Sequence, residues 1–527
     1  MILFLNFATP IQTASSMTRL LTLLAVSMLT LQLSCNLLPQ PPIESIAESD
    51  TLVEVVEVPL PFPDTMLPSA EKVLVEIDTI DPTLPWEIKD YTDPYAEAPG
   101  IFTFRGGPTR NPNYFGRLHG DSIHIHVEWE FGTALDNSNS SSHGSWGGGT
   151  GWTGQPLYIH WPDSLQELIV ASLCGYVYFL DFETGKPSRP YYDSHNVLKG
   201  TPSLNPYLNG DLYVGHGVQK TSPFGHSVYN LFTSQETHAV GKDPKAWRSW
   251  GAYDSSPIVV DSFLFRPGEN GTLYKYYIGD GQFALQSTLR FSLTNTKRSP
   301  GMESSMSVYR NYGYVTDNAG NILCVNLNTL QPVWHYFNHD DTDASPLLEI
   351  EDGTPYLYTG CEIDKQGSKG YSYFIKLDGL TGEVLWEDTI RCRRISFGEK
   401  TLDAGMFGSP MLGEGDCNDM VFCTFCMNYP KERGCLAAFD KCDGRLLYKT
   451  LLNQYAWSSP IPFYNDDNEL FVFVGDCAGY VYLIKGQTGE IVASEKVGSN
   501  FESTPIVVDD KVILGSRGNK IFKIALQ

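Results

Sequence analysis

The sequence is short of basic charge and of the brief motifs that mark the common catalytic machineries. Lys and Arg number 37 against 61 Asp and Glu, a formal charge of −24 over 527 residues. Phosphate backbones repel such a surface, which argues against nucleic acid as a partner. No HExxH, GxSxG, CxxCH or P-loop stretch occurs, so the enzyme classes most easily read from sequence drop out. Residues 149–154 carry the letters GxGxxG (Gly149, Gly151, Gly154). They lack the preceding strand and following helix that receive a dinucleotide pyrophosphate, and read as a flexible loop. The apolar run near the start is too short and too interrupted for a spanning helix.

What is present is a repeat. Glu167 to Pro187, Tyr314 to Trp334 and Leu470 to Val492 give the same phrase: an apolar run, a Gly-containing turn, an aliphatic strand, then a second turn. Alternating β-branched and aromatic residues between such turns are hairpin chemistry. Asp181, Asn326, Asp378, Asp440 and Lys485 each close a strand. Thr184-Gly185, Thr381-Gly382, Asp443-Gly444 and Thr488-Gly489 follow four of them at one offset. Asx side chains bond backbone a few residues on, and Gly takes positive φ, so these positions read as structural.

A Ser/Thr-Pro mark opens each unit: Pro156, Pro202, Pro257, the non-Pro equivalent Ser305-Met306, Pro346, Pro410, Pro460 and Pro505. Eight units of 40 to 65 residues predict an all-β fold, an eight-bladed β-propeller of four-stranded antiparallel blades. After Pro505 only three strand-like runs follow. An open edge is normally covered, and the N-terminal run at 123–131, which includes Trp129, is predicted to supply the missing strand and close the ring.

The N-terminus carries an address. From Met17, which is a possible true start, one Arg precedes an apolar core and then Ser34-Cys35, the layout of a bacterial lipoprotein signal. Residues 1–34 are expected to be the signal and Cys35 the lipidated residue. Gln32 departs from the usual aliphatic residue, so a plain cleaved signal or an anchor is the alternative. Residues 35–98 are rich in Pro, Glu and Asp and read as an extended tether, with the ring spanning 99–527. Ten further cysteines permit disulfides without requiring any. Cys423 and Cys426 have CxxC spacing, but residues three apart on a strand face opposite ways. A local disulfide, buried thiols and a metal remain open there.

Segments entering the innermost strands face a propeller's central funnel. They contain Trp146, Trp152, Arg248, Trp250, Asp254, Glu303, Asp341, Asp343, Asp403, Phe407, Trp457 and Glu502. Such residues at one mouth can stack a flat ring or sugar and hold a cation, or can simply plug the channel. His339 to Asp343 is also an oxygen-rich loop that could take calcium, or be merely solvated. No metal site or catalytic residue is assigned.

With these repeats in place, the chain resembles the pyrroloquinoline-quinone (PQQ)-repeat propellers, the eight-bladed superfamily of quinoprotein alcohol dehydrogenases and their non-enzymatic relatives. The blade phrases VGDCAGYVYLIKGQTGEIV and TGCEIDKQGSKGYSYFIKLDGLTGEVLWED carry the resemblance, with Phe104-Arg105-Gly106 and Arg110-Asn111 as an FRG…RN opening. The dehydrogenase branch implies PQQ with calcium between a Trp floor and, in many members, adjacent cysteines; no two cysteines are adjacent here. The other branch holds lipid-anchored envelope propellers that bind protein partners and no cofactor. Signal, tether and missing motifs favour that branch. The expectation is a monomeric, non-catalytic ring anchored through lipid in a Gram-negative envelope, at the outer membrane and facing periplasm or medium, with a protein partner. The alternatives are a PQQ- and calcium-dependent dehydrogenase of alcohols or sugars, and a glycan-binding propeller.

Overall fold

The computed structural model describes residues 73–120, 123–136, 140–141, 144–145, 147–151, 154–293, 301–397, 400–428, 431 and 433–527. All lie within one compact unit, 62–527, and no α-helix occurs among them. Cys35, the signal, residues 35–72 of the tether, Trp146 and Trp152 lie outside the described residues.

The eight expected blades are present, each built outward from the strand that follows its Ser/Thr-Pro mark. The innermost strands are Leu157–His160, Ser203–Leu204, Ile258–Val260, Ser307–Tyr309, Leu347–Glu351, Met411–Leu412, Ile461–Tyr464 and Ile506–Val508. They number blades 1 to 8. Blade 8 has three strands of its own, and Ile125–Gly132 pairs antiparallel with Lys520–Leu526 as the fourth. Closure therefore runs as expected, with the strand starting two residues later than the sequence run.

Blades are held to one another by a device repeated around the ring. In Trp334 (blade 4) and Trp386 (blade 5), the indole N–H donates to Gly379 and Lys441 carbonyls of the next blade at 2.8 and 2.9 Å. Each ring lies against the Thr-Gly or Asp-Gly turn of that blade. A Cβ on Gly382 or Gly444 would come within 2.7 or 2.5 Å of it, and both glycines have positive φ. The turn residues are therefore fixed twice, by backbone conformation and by the neighbouring indole.

At the inner radius, the hydroxyls of the repeat marks bond between blades. Ser256 N–H donates to Ser305 Oγ at 2.9 Å, Ser305 N–H to Ser345 Oγ at 2.8 Å, and Ser409 N–H to Ser459 Oγ at 3.0 Å. Thr504 and Ser459 hydroxyls meet at 3.0 Å.

The chain before the ring is built into it. Val73–Thr79, expected within the tether, instead forms a fifth, outermost strand on blade 3, antiparallel to Ala284–Leu293. The reason is alternation: Val75 and Ile77 pack against the core on one face, and Glu76 and Asp78 lie on the other, where both carboxylates meet the buried guanidinium of Arg290 at 2.7 and 2.5 Å. The tether expectation thus fails from Val73 onward. The path continues inward to Tyr95, whose hydroxyl accepts from Val259 N–H at 2.9 Å.

Residues 100–118 then thread the hub and touch every blade. Gly100–Ile101 pairs with blade 1. The Phe102 carbonyl accepts from Leu204 of blade 2 at 2.7 Å, and Thr103 Oγ1 donates to Pro257 O of blade 3 at 3.2 Å. Pro108 and Thr109 carbonyls accept from Val308 of blade 4 and Leu348 of blade 5, both at 2.8 Å. Asn111 Oδ1 accepts from Leu412 of blade 6 at 3.1 Å. Gly116–Arg117 runs parallel to the inner strand of blade 7, and Tyr114 OH donates to Pro505 O of blade 8 at 3.3 Å.

Two fully buried guanidinium groups lock this plug. Arg105 reaches the Pro460 and Pro410 carbonyls, both at 2.7 Å. Arg110 donates to Met306 O at 2.8 Å and Ser256 O at 3.3 Å. Burial pulls both down to about 10, still protonated at neutral pH. Each cation is thus solvated by the carbonyl dipoles of several blades.

Candidate acidic mouth of the channel

In an antiparallel blade the entry to the first strand and the turn after the second lie at the same end. The mouth is therefore built from two sets of loops. The first set is the one expected from sequence, and it brings Arg248, Trp250, Asp254, Glu303, Asp341, Asp343, Asp403, Phe407, Trp457 and Glu502 to this end of the ring. The second set adds Glu269, Glu362 and Arg517, which lie beyond the Ser/Thr-Pro marks in each blade. Lys199 adds a further side chain from the entry to blade 2.

A small cavity of 10 Å³ sits at the centre, lined by Glu303, Ser305, Asp343, Ser345, Phe407 and Ser409, with Phe104 of the plug beneath. Space of this size is at the lower limit for holding a single water molecule.

Two carboxylate groups stand beside it. The first is Asp254, Glu269 and Glu303, whose ligand oxygens lie within 4.8 Å of one another. Lys199 reaches into it, with Nζ on Asp254 Oδ2 and 3.8 Å from Glu269. Burial alone would lower the Lys199 ammonium, but Asp254, Glu269 and Glu303 together raise it. It is a resident cation. Burial pushes Glu269 up to about 8 and Glu303 up to about 7. Trp250 is committed to this group, its indole N–H donating to Glu269 Oε2 at 2.8 Å. Arg248 donates to the Glu269 carbonyl at 2.9 Å.

The second group is Asp341, Asp343 and Glu362, again within 4.8 Å. Glu362–Ile363 pairs with Ala404–Gly405 at the start of blade 6, which turns Glu362 inward. Its N–H donates to the Asp341 carbonyl at 2.7 Å. Lys365 Nζ meets Asp341 Oδ2 at 2.9 Å. Burial raises Asp341 to about 7, with Glu303 and Asp317 adding to it, and lifts Asp343 and Glu362 well above the usual carboxylate range, where Glu303 and Asp341 repel Asp343, and Asp343 and Asp341 repel Glu362. Asp340, in the same acidic loop, does different work: its carboxylate accepts the N–H groups of Asp341, Asp364, Lys365 and Gln366.

The remaining side chains are paired. Asp403 meets Arg394 at 2.5 Å, and Glu502 meets Arg517 at 3.0 Å. Phe407 stacks on Trp457 with centroids 4.7 Å apart, and the Trp457 N–H points to Cys426 Sγ at 3.2 Å. The ten cysteines from Cys174 to Cys477 are unpaired.

The chain is an eight-bladed β-propeller whose last blade is closed by an N-terminal strand. No family model matches it. The chain is 25% identical over 366 residues to the outer membrane protein assembly factor BamB of Yersinia pestis, covering 68% of this chain and 81% of that protein. BamB from Moraxella catarrhalis superposes with TM-score 0.51 at 13% identity, over 76% of this chain and all of that one. The quinohemoprotein alcohol dehydrogenase of Comamonas testosteroni gives 0.58 at 13%, over 81% and 80%. A europium-containing methanol dehydrogenase gives 0.56 at 13%, over 80% and 90%. These structural likenesses establish the fold.

A quinone with calcium is what the dehydrogenase branch implies, and the residues present do not match that pair. The Lys199 ammonium already supplies the positive charge among Asp254, Glu269 and Glu303. No adjacent cysteines exist to cover a quinone.

Proposed function

We propose that this protein is a lipid-anchored envelope propeller that acts without catalysis as a scaffold for protein partners at the outer membrane. The observation that carries this reading is the likeness to an outer membrane protein assembly factor along two thirds of the chain. The plug supports it. A hub bonded to all eight blades makes the ring a rigid platform, leaving rim and loops as the variable surfaces. In this reading residues 1–34 are the signal, Cys35 carries the lipid and the segment up to 72 is the tether. No cofactor takes part.

The test is affinity capture from detergent-solubilised envelope using the full-length protein, paired with titration by PQQ in calcium. Co-purification of outer-membrane assembly components with no visible absorbance change is the expected result. Quinone uptake coupled to dye-linked oxidation of an alcohol or sugar would transfer the protein to the dehydrogenase branch. Retention on cell-surface polysaccharide, lost in Trp457→Ala, would favour a glycan ligand.

A further inference from the structure

Among the described residues four guanidinium groups are buried: Arg105, Arg110, Arg266 and Arg290. Three of them have acceptors. Arg105 and Arg110 bond the carbonyls around the hub, and Arg290 bonds the carboxylates of Glu76 and Asp78. Arg266 differs: none of its three nitrogens reaches an acceptor, although the side chain has no exposure to solvent.

Arg266 lies in the second strand of blade 3, Phe263–Gly268, and its side chain runs toward blade 2. A Cβ on Gly215, in the second strand of blade 2, would come within 3.0 Å of its Nη1. Two imidazoles stand at the same place. His216 follows Gly215 in the chain, and its carbonyl accepts from Tyr253 N–H at 2.8 Å. His226 is the cross-strand partner of Gly215, and its ring meets that of Tyr253 edge-on with centroids 5.0 Å apart. The guanidinium carbon of Arg266 is 5.7 Å from the centre of that Tyr253 ring. Burial and then the Arg266 charge lower His216 to about 4 and His226 well below its ordinary value, so both rings are neutral at neutral pH. Arg266, which burial pulls down to about 10, keeps its charge.

The tautomer of His216 follows from its neighbours. Its Nδ1 accepts from Gly225 N–H at 3.3 Å, so Nε2 carries the hydrogen. That buried N–H has no acceptor, and neither does His226 Nδ1 have a partner, since only its Nε2 is bonded, to Tyr276 OH at 2.9 Å. The junction of blades 2 and 3 therefore encloses one positive charge and a surplus of N–H donors. The Tyr253 face attracts the cation but takes none of its hydrogens. An uncompensated buried charge is strongly destabilising. A water molecule would accept hydrogens without cancelling that charge, whereas an anion does both.

We propose that Arg266, together with the Nε2–H of His216, binds a chloride-sized monovalent anion between blades 2 and 3. Complete enclosure and a single positive charge select a small ion of one charge over phosphate or a carboxylate ligand. The bound ion completes the contact between the two blades, and the site is independent of the scaffold reading.

The experiment dialyses the full-length protein into sodium gluconate, whose anion is too large for an enclosed site, and replaces it with sodium chloride at constant ionic strength while the melting temperature is read. The expected result is a rise of about 1–2 °C for each tenfold increase in chloride beyond half-saturation, absent in Arg266→Met. Crystals of the parent soaked in sodium bromide should show an anomalous peak in contact with the Arg266 guanidinium. A parent whose melting is indifferent to chloride overturns the proposal, as do bromide-soaked crystals with no anomalous signal at Arg266. An equal chloride response in folded Arg266→Met also overturns it. If that variant fails to fold, the bromide peak in the parent decides.

Discussion

The indole N–H of Trp129 donates to the carbonyl of Phe182 at 3.0 Å, and its ring lies where a Cβ on Gly185 would come within 2.6 Å. Trp129 belongs to the strand that closes blade 8, and Phe182 and Gly185 to blade 1, so this contact seals the ring. It has the same form as Trp334 on Gly379 and Trp386 on Lys441 within the continuous part of the ring. Trp129→Phe keeps most of the packing and loses the hydrogen bond, a cost of about 1 kcal/mol. Trp129→Ala also leaves a void at the seam and should cost about 3 kcal/mol. Equilibrium unfolding in urea measures both. Equal stability of Trp129→Ala and the parent would mean that the seam is not held by this contact.

Arg105 gives the second prediction. Its two terminal nitrogens reach carbonyls on different blades, Pro460 on blade 7 and Pro410 on blade 6. Replacing it by Met strands both acceptors in a dry hub, about 1–3 kcal/mol each. Arg105→Lys should not restore the parent stability, since one compact ammonium lacks the fork that spans two acceptors. Denaturant midpoints for the three proteins test this. Full recovery by Lys would show that charge alone matters at the hub.

Removing residues 1–79 strips the outermost strand from blade 3. Arg290, whose side chain is 1% exposed, then loses Glu76 and Asp78 together, and the backbone of Ala284–Leu293 becomes an open edge. The truncated ring should melt at lower temperature and self-associate, because unpaired edges recruit strands. Light scattering alongside thermal unfolding reads both effects. Glu76→Gln with Asp78→Asn, in the full chain, separates the charge loss from the strand loss.

Much of this was legible before any coordinates. Ser305, Ser345, Ser459 and Thr504 mark blades in sequence because each hydroxyl has the same task, bonding to a neighbouring blade around the hub. Trp129 was readable as an outer-strand residue for the same reason, a repeated contact leaving a repeated letter. The mouth was only half legible. Asp254, Glu303 and Asp343 precede the marks, and their carboxylates lie in the two groups at the mouth. Glu269 and Glu362 follow the second strands, one turn later, where no repeated letter points to them. The signal that was available is antiparallel geometry itself, which puts both loop sets at one end. Val73–Thr79 was hidden by its acidic, Pro-flanked setting; its alternation of Val and Ile with Glu and Asp is the clue that composition masked.

The mouth also makes stability depend on pH in an unusual direction. Glu269 is pushed to about 8, and Glu303 and Asp341 to about 7, against ordinary values near 4. Between about pH 4 and 8 the folded chain therefore retains protons that the unfolded chain has released. Their contribution to stability falls as pH rises through that window and is flat above it. Lys199, Arg248 and Lys365 face these groups, and the raised Lys199 stays charged throughout. Melting temperature, measured from pH 5 to 8, should fall more steeply for the parent than for Glu303→Gln, which removes one of the titrating carboxyls. Equal slopes for the two proteins would mean that Glu303 holds no extra proton in the folded chain.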